Sequence, residues 1–231
     1  MEKKLPYVAL ALSDKDFDSK LQEAFYRGID IIEFRVDLLG NLEIDYIRKH
    51  LRKIKEKDID VILTIRAKWE GGGHEIDDNY RFNIYKECID LVDYLDIELS
   101  SNNLLGDIVE LGNKNKKNVI ISFHDFEKTP SEEVLQGLID KCFKYGADIS
   151  KIATKVNTED DVAKLLSISY KNKKLGRRLI TIGMGELGKI TRVAGYFFGS
   201  IITYTYIGKS VAPGQIEINK LFEELRFYGI K

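Results

Sequence analysis

Eight times along the chain, a short apolar run rich in β-branched residues is followed by a longer charged segment whose apolar residues return at helical spacing. The strand candidates cover residues 7–12, 31–37, 61–66, 95–99, 119–124, 149–154, 179–183 and 202–207. Helical patterns follow them near 15–27, 43–57, 79–91, 104–116, 131–145, 158–171, 188–198 and 216–228. A strand that always hands on to a helix lies parallel to the next strand, because the crossover carries the chain back to the same end of the sheet. Spread over 231 residues, each unit has about 29, close to the roughly 30 that strand, helix and turns require. The pattern predicts an α/β fold, a single-domain (β/α)8 TIM barrel over residues 1–231. An open doubly wound sheet satisfies the same alternation and differs only in closure.

Charge narrows the partners. Lys plus Arg number 36 and Asp plus Glu 37, a net charge of -1, so no global basic field favours nucleic acid or an anionic membrane. No stretch approaches the roughly 18 apolar residues of a membrane span. The positive start Met1-Glu2-Lys3-Lys4 is followed by an apolar run too short for a signal peptide, which predicts a cytoplasmic protein. Cys88 and Cys142 stand far apart without CxxC spacing, as in a reducing compartment.

Side chains alternate across a strand, so 31–37 sets Glu33, Arg35 and Asp37 on one face and Ile32, Phe34 and Val36 on the other. The apolar face must meet the helices, which turns the charges into the barrel, where they need partners. The same phase turns Thr64 and Arg66, Asp96 and Glu98, Ser122 and His124, and Lys151 and Ala153 inward. One inward carboxylate is an ordinary structural ion pair. Polar residues on five consecutive strands, several near their C-terminal ends, are instead the pattern of a barrel active site.

Several chemistries lack their residues. The chain has only His50, His74 and His124, with no HExxH spacing. His50, between Lys49 and Leu51, reads as helix surface; His74 lies in a loop with Glu75, Asp77 and Asp78, and no metal site is assigned. The segment from Gly183 to Lys189 matches both GxGxxG and GxxxxGK. The acidic residue expected about 20 positions later is missing, however, and Ile190 replaces the magnesium-binding hydroxyl. A glycine-lined turn at the barrel rim explains the segment without a nucleotide. Lys151 and His124, on adjacent strands, suggest Schiff-base chemistry. Burial among Arg35 and Arg66 is expected to lower the lysine pKa, and a neighbouring histidine can then remove the proton acidified by the iminium.

These residues carry a resemblance. Glu33-Phe34-Arg35-Val36-Asp37, Thr64-Ile65-Arg66 with Glu70-Gly71-Gly72, Ser122-Phe123-His124-Asp125-Phe126, Lys151-Ile152-Ala153, Thr191-Arg192 and Ala212-Pro213-Gly214-Gln215 together resemble the type I 3-dehydroquinate dehydratase family, in its order and over almost the whole chain. The resemblance implies a lyase that converts 3-dehydroquinate to 3-dehydroshikimate in the shikimate pathway, without metal or organic cofactor, often as a homodimer. It implies that Lys151 forms the Schiff base, His124 moves the protons and Glu70 orients His124. Glu33, Arg35 and Arg66 would hold ring hydroxyls, and Arg192 and Gln215 the carboxylate; Met184 and Phe126 would touch the ring. Many relatives have serine just before Ala-Pro-Gly-Gln, where this chain has Val211, and Ser210 one position earlier is the nearest hydroxyl. Two other readings fit part of the pattern: an aldolase-like barrel, which generally wants a phosphate loop, and a non-catalytic barrel that binds a small acid.

Overall fold

The structure, a computed structural model, describes residues 5–210 and 212–230. Its elements run β1 (Tyr7–Leu12), α1 (Phe17–Arg27), β2 (Ile31–Arg35), α2 (Ile44–Lys55), β3 (Asp60–Thr64), α3 (Asp78–Cys88), β4 (Tyr94–Glu98), α4 (Leu105–Lys114), β5 (Asn118–Asp125) and α5 (Glu132–Lys144). They continue with β6 (Ile149–Lys155), α6 (Glu159–Lys174), β7 (Leu179–Met184), α7 (Thr191–Phe198), β8 (Ile202–Tyr206), β9 (Ile216–Glu217) and α8 (Ile218–Phe227). Every strand pairing is parallel, in the order β7-β6-β5-β4-β3-β2-β1-β8-β9. The sheet curls until β7 meets the chain just ahead of β8: Leu179 bridges Ser200, and the Ile201 N–H donates to Leu179 O at 2.8 Å. Closure is thus achieved by a short seam rather than a full ladder, and the barrel alternative prevails over the open sheet.

Packing follows the alternation. Outward residues such as Ile32, Phe34, Val61, Leu63, Ile97, Ile121 and Ile152 are buried against the helices. Inward residues at the start of the strands, Ala9, Ile31, Ile62, Tyr94, Ile120, Ile149, Ile180 and Ile202, close the bottom of the barrel with an apolar plug. The side chains above that plug point into the cavity at the C-terminal ends. Cys88 and Cys142 are free and buried, and among the described residues no helix is long and apolar enough to cross a membrane.

Three local readings change. The β2 strand stops at Arg35 because Asp37 turns back, taking Arg35 Nε at 2.9 Å and Nη2 at 2.7 Å and the backbone N–H groups of Arg66 and Gly73, both at 3.1 Å. Residues Val36–Leu38 therefore form one 3-10 turn, and Asp37 does not continue the inward face of Glu33 and Arg35. Residues 216 and 217 extend the sheet as β9, and α8 starts only where the Glu217 carboxylate accepts the Asn219 and Lys220 N–H groups. His50 is not surface: it is 9% exposed, on the inner face of α2 with Ile47, Leu51 and Ile54. Its ring meets Phe17 edge-on at 4.6 Å, and Nδ1 lies 2.9 Å from Tyr46 O.

Candidate active site

The inward positions of β2 to β6 stack charges over the apolar plug. Glu33 accepts the Thr64 hydroxyl at 2.8 Å, and Lys151 lies 3.3 Å from Glu33 and 2.9 Å from Asp96. Arg66 donates Nη2 to Asp96 at 2.7 Å, and Nη1 to Glu98 at 2.8 Å and Ser122 at 2.7 Å. From α3, Arg81 reaches Glu98 at 2.6 Å and Ile65 O at 2.8 Å. Arg66, Arg81 and Lys151 each face a buried carboxylate, the condition under which such charges are tolerated.

The lysine expectation needs correction. Burial alone would lower the Lys151 pKa, but Asp96 and Glu33 outweigh both burial and Arg66, and the group is held above its ordinary value. Lys151 therefore rests as an ammonium, positioned by two carboxylates. His124 behaves oppositely: burial, with Arg66 and Lys151 as positive neighbours, takes its pKa well below 6.5 and keeps it neutral. Its Nδ1 lies 2.9 Å from Glu70 Oε2, which also accepts the His124 backbone N–H at 3.1 Å. While Glu70 is ionised it can only accept, so Nδ1 then carries the hydrogen and Nε2 the free lone pair. Burial pushes Glu70 up to about 7 against the opposing hydrogen bond from Ser100. Ser100 is in turn held by Trp69 Nε1 at 3.0 Å.

Glu33, Arg35, Arg66, Glu70, His124, Phe126, Lys151, Met184, Arg192 and Gln215 line one cavity with roughly 700 Å³ of empty space including its mouth, a size suited to a small ring. Two of the three Arg35 nitrogens are committed to Asp37. Arg192 is 4% exposed and, among the described residues, pairs with no carboxylate. Its Nε donates to Gly214 O at 2.7 Å and Nη2 to Pro213 O at 3.4 Å, while burial lowers its pKa to about 10. A buried guanidinium opposed only by carbonyl oxygens is a strong site for a ligand anion.

The glycine-rich segment positions that arginine. A Cβ on Gly188 would come within 2.4 Å of the Gly183 carbonyl carbon. Thr191 Oγ1 binds both backbones, accepting from Gly183 N at 2.8 Å and donating to Gly188 O at 2.7 Å. The close approach starts α7 with Arg192 beside the cavity and accounts for the glycines.

Ser210 does not line the cavity. It donates to Ala212 O at 2.7 Å and contacts Gln215 Oε1 at 3.1 Å, steadying the loop from outside; Val211 lies outside the described residues. His74 contacts Leu39 O at 2.9 Å, and no group of three or more metal-binding side chains forms among the described residues. Two residues escaped the sequence reading. Arg81 sits on a helix, where strand alternation says nothing, and Tyr204 looks like ordinary aromatic core; its inward phase on β8 was the available signal.

A family model described as type I 3-dehydroquinase matches residues 8–231. The 3-dehydroquinate dehydratase of Hydrogenobaculum sp. is 40% identical over 218 residues, spanning 94% of this chain and 95% of that protein. The crystal structure of the 3-dehydroquinate dehydratase from Aquifex aeolicus superposes with a TM-score of 0.87 at 38% identity, covering 96% of this chain and 98% of that one. The type I enzyme of that name from Clostridium difficile gives 0.89 at 32% identity, covering 98% and 93%. With a matching barrel and matches over nearly the full length, the chain belongs to the type I 3-dehydroquinase family.

Proposed function

We propose that this chain is a 3-dehydroquinate dehydratase of the shikimate pathway, a hydro-lyase that works through a Schiff base at Lys151. The observation that carries the reading is the pairing of a buried lysine with a neutral histidine, oriented by Glu70, in a cavity that also holds an arginine without a carboxylate partner. The Lys151 ammonium gives up a proton and its amine adds to the substrate ketone; two of the three ammonium protons leave on the carbonyl oxygen as water, and an iminium remains. His124 Nε2 takes the proton from the α-carbon, and the electron pair moves into an enamine. The pair then returns to expel the β-hydroxyl, which takes the proton from His124 and leaves as water. Hydrolysis of the iminium frees the conjugated enone and Lys151, so one water is lost overall.

The other residues take supporting roles in this proposal. Arg192 and Gln215 hold the carboxylate. Glu33 and Arg35 take ring hydroxyls, with Phe126 and Met184 against the ring. Arg66, whose terminal nitrogens are committed to Asp96, Glu98 and Ser122, acts chiefly by fixing those groups. The same resemblance supports a cytoplasmic homodimer, which sedimentation of the purified protein tests. Activity is tested by adding 3-dehydroquinate and following enone absorbance: a steady rise with the wild type and none with Lys151→Ala is the expected outcome. A folded wild type that forms no enone would remove the proposal.

A further inference from the structure

Tyr204 stands inward on β8, in register with Ala9 of β1, and is 4% exposed. Its ring lies over the Lys151 ammonium, 4.8 Å from centroid to Nζ. Among the described residues, three buried side-chain polar atoms make no hydrogen bond of ordinary geometry: Arg81 Nε, Ser150 Oγ and the Tyr204 hydroxyl, the last lying close enough to Lys151 to interact with it. Only the tyrosine lines the cavity with Lys151. A phenylalanine would fill the same space and keep the cation–π contact without burying a hydroxyl. The oxygen is therefore unexplained by the substrate-free protein and invites an acceptor that arrives with the ligand.

We propose that Tyr204 is a further catalytic residue, whose hydroxyl bonds the ketone oxygen of the substrate and relays the protons that turn this oxygen into water as the Schiff base forms. The inference rests on the assignment of Lys151 as the Schiff-base nitrogen. The proton balance explains why a relay is useful. An ammonium and a ketone become an iminium and water by moving two of the three ammonium protons onto the carbonyl oxygen; the third stays on nitrogen. A carbon–nitrogen double bond forms, the carbon–oxygen double bond breaks, and no proton enters or leaves. Direct transfer from nitrogen to an oxygen on the same carbon passes through a cramped four-membered ring. A phenol beside both atoms accepts a proton from nitrogen while giving its own to oxygen, and it ends unchanged.

The other close neighbours of Nζ are poorly suited to this task. Asp96 and Glu33 are carboxylates that hold the ammonium, and they already accept from Arg66, Ser122 and Thr64. His124 Nδ1 is tied to Glu70, which leaves Nε2 for the later α-proton step and as a partner of Tyr204 in the earlier transfers. The hydroxyl of Tyr204 faces the Lys151 ammonium with its own proton uncommitted, so it can accept from nitrogen and donate to oxygen.

The test is Tyr204→Phe, which deletes one oxygen and keeps the ring. Wild type and variant are mixed rapidly with 3-dehydroquinate and quenched with borohydride at increasing times, and the adduct on Lys151 is quantified by mass spectrometry. The variant is expected to form adduct at least about a hundredfold more slowly, the lower part of what a positioned proton donor contributes, while KM changes by less than about threefold. It should also unfold at a temperature no lower than the wild type, because it loses a hydroxyl without a partner. Adduct formation at the wild-type rate, or a loss of activity matching only a loss of folded protein, would overturn the role of Tyr204. Absence of adduct in the wild type would instead overturn the Schiff-base reading on which it rests.

Discussion

The barrel interior divides into two arcs built on the same backbone geometry. Above the plug, β2 to β6 present Glu33, Arg35, Arg66, Asp96, Glu98, Ser122, His124 and Lys151, each tied to a neighbour by ion pair or hydrogen bond. The arc of β7, β8 and β1 presents Ile182, Met184, Tyr204 and Ala11, with Arg192 reaching in from α7. The charged arc is compensated before any ligand arrives, so its geometry is preorganised and its groups cost little to orient during reaction. Among the described residues, the apolar arc holds a guanidinium without a carboxylate and a hydroxyl without an acceptor. The internally paired charges thus lie on one side, and the groups proposed to meet the ligand's carboxylate and ketone oxygens on the other.

This contrast can be broken in order of effect. Lys151→Ala removes the nucleophile, and turnover should fall to background while circular dichroism still reports a folded barrel. Glu98→Gln or Arg81→Met opens the charged arc by leaving a buried charge without its partner, and urea unfolding should show a loss of about 3–5 kcal/mol. Arg192→Gln strikes the other arc, where no ion pair exists to break. Its stability should stay within about 1 kcal/mol of the wild type, while KM rises roughly 10–100-fold through the loss of charge-assisted hydrogen bonds to the substrate. An Arg192 variant as unstable as the Glu98 variant would erase the distinction between the arcs.

The smallest effect concerns pH. As pH falls through about 7, Glu70 gains a proton and loses the negative charge that holds the hydrogen on His124 Nδ1 and leaves Nε2 free as the base. Turnover should decline on the acid side of that value. His124, held well below 6.5, stays neutral there and is not the source of the limb. Glu70→Gln should lower kcat across the range and abolish the limb, as a pH profile of kcat would show.

Much of this was legible because a strand has period two. Once Ile32, Phe34 and Val36 were assigned to the helices, Glu33 and Arg35 had to enter the barrel; the same logic found Lys151 and His124. Asp37 escaped it because its own ion pair ends the strand, an interaction of tertiary origin. His50 was misread through its charged neighbours Arg48 and Lys49, although helical spacing already aligned it with Ile47 and Ile54. The protonation of Lys151 could not be inferred from positive neighbours alone, since the distances to Asp96 and Glu33 decide its sign. Arg81 enters from outside the strand ladder, and Tyr204 matters for one oxygen on a side chain whose ring is plain core.

The most direct measurement is borohydride reduction in the presence of 3-dehydroquinate, followed by proteolysis and mass mapping. The account predicts a single covalent adduct, carried by the peptide containing Lys151, with enzymatic activity lost in step with its appearance. An intact Lys151 peptide after complete inactivation, or full activity retained after prolonged reduction with substrate, would contradict it.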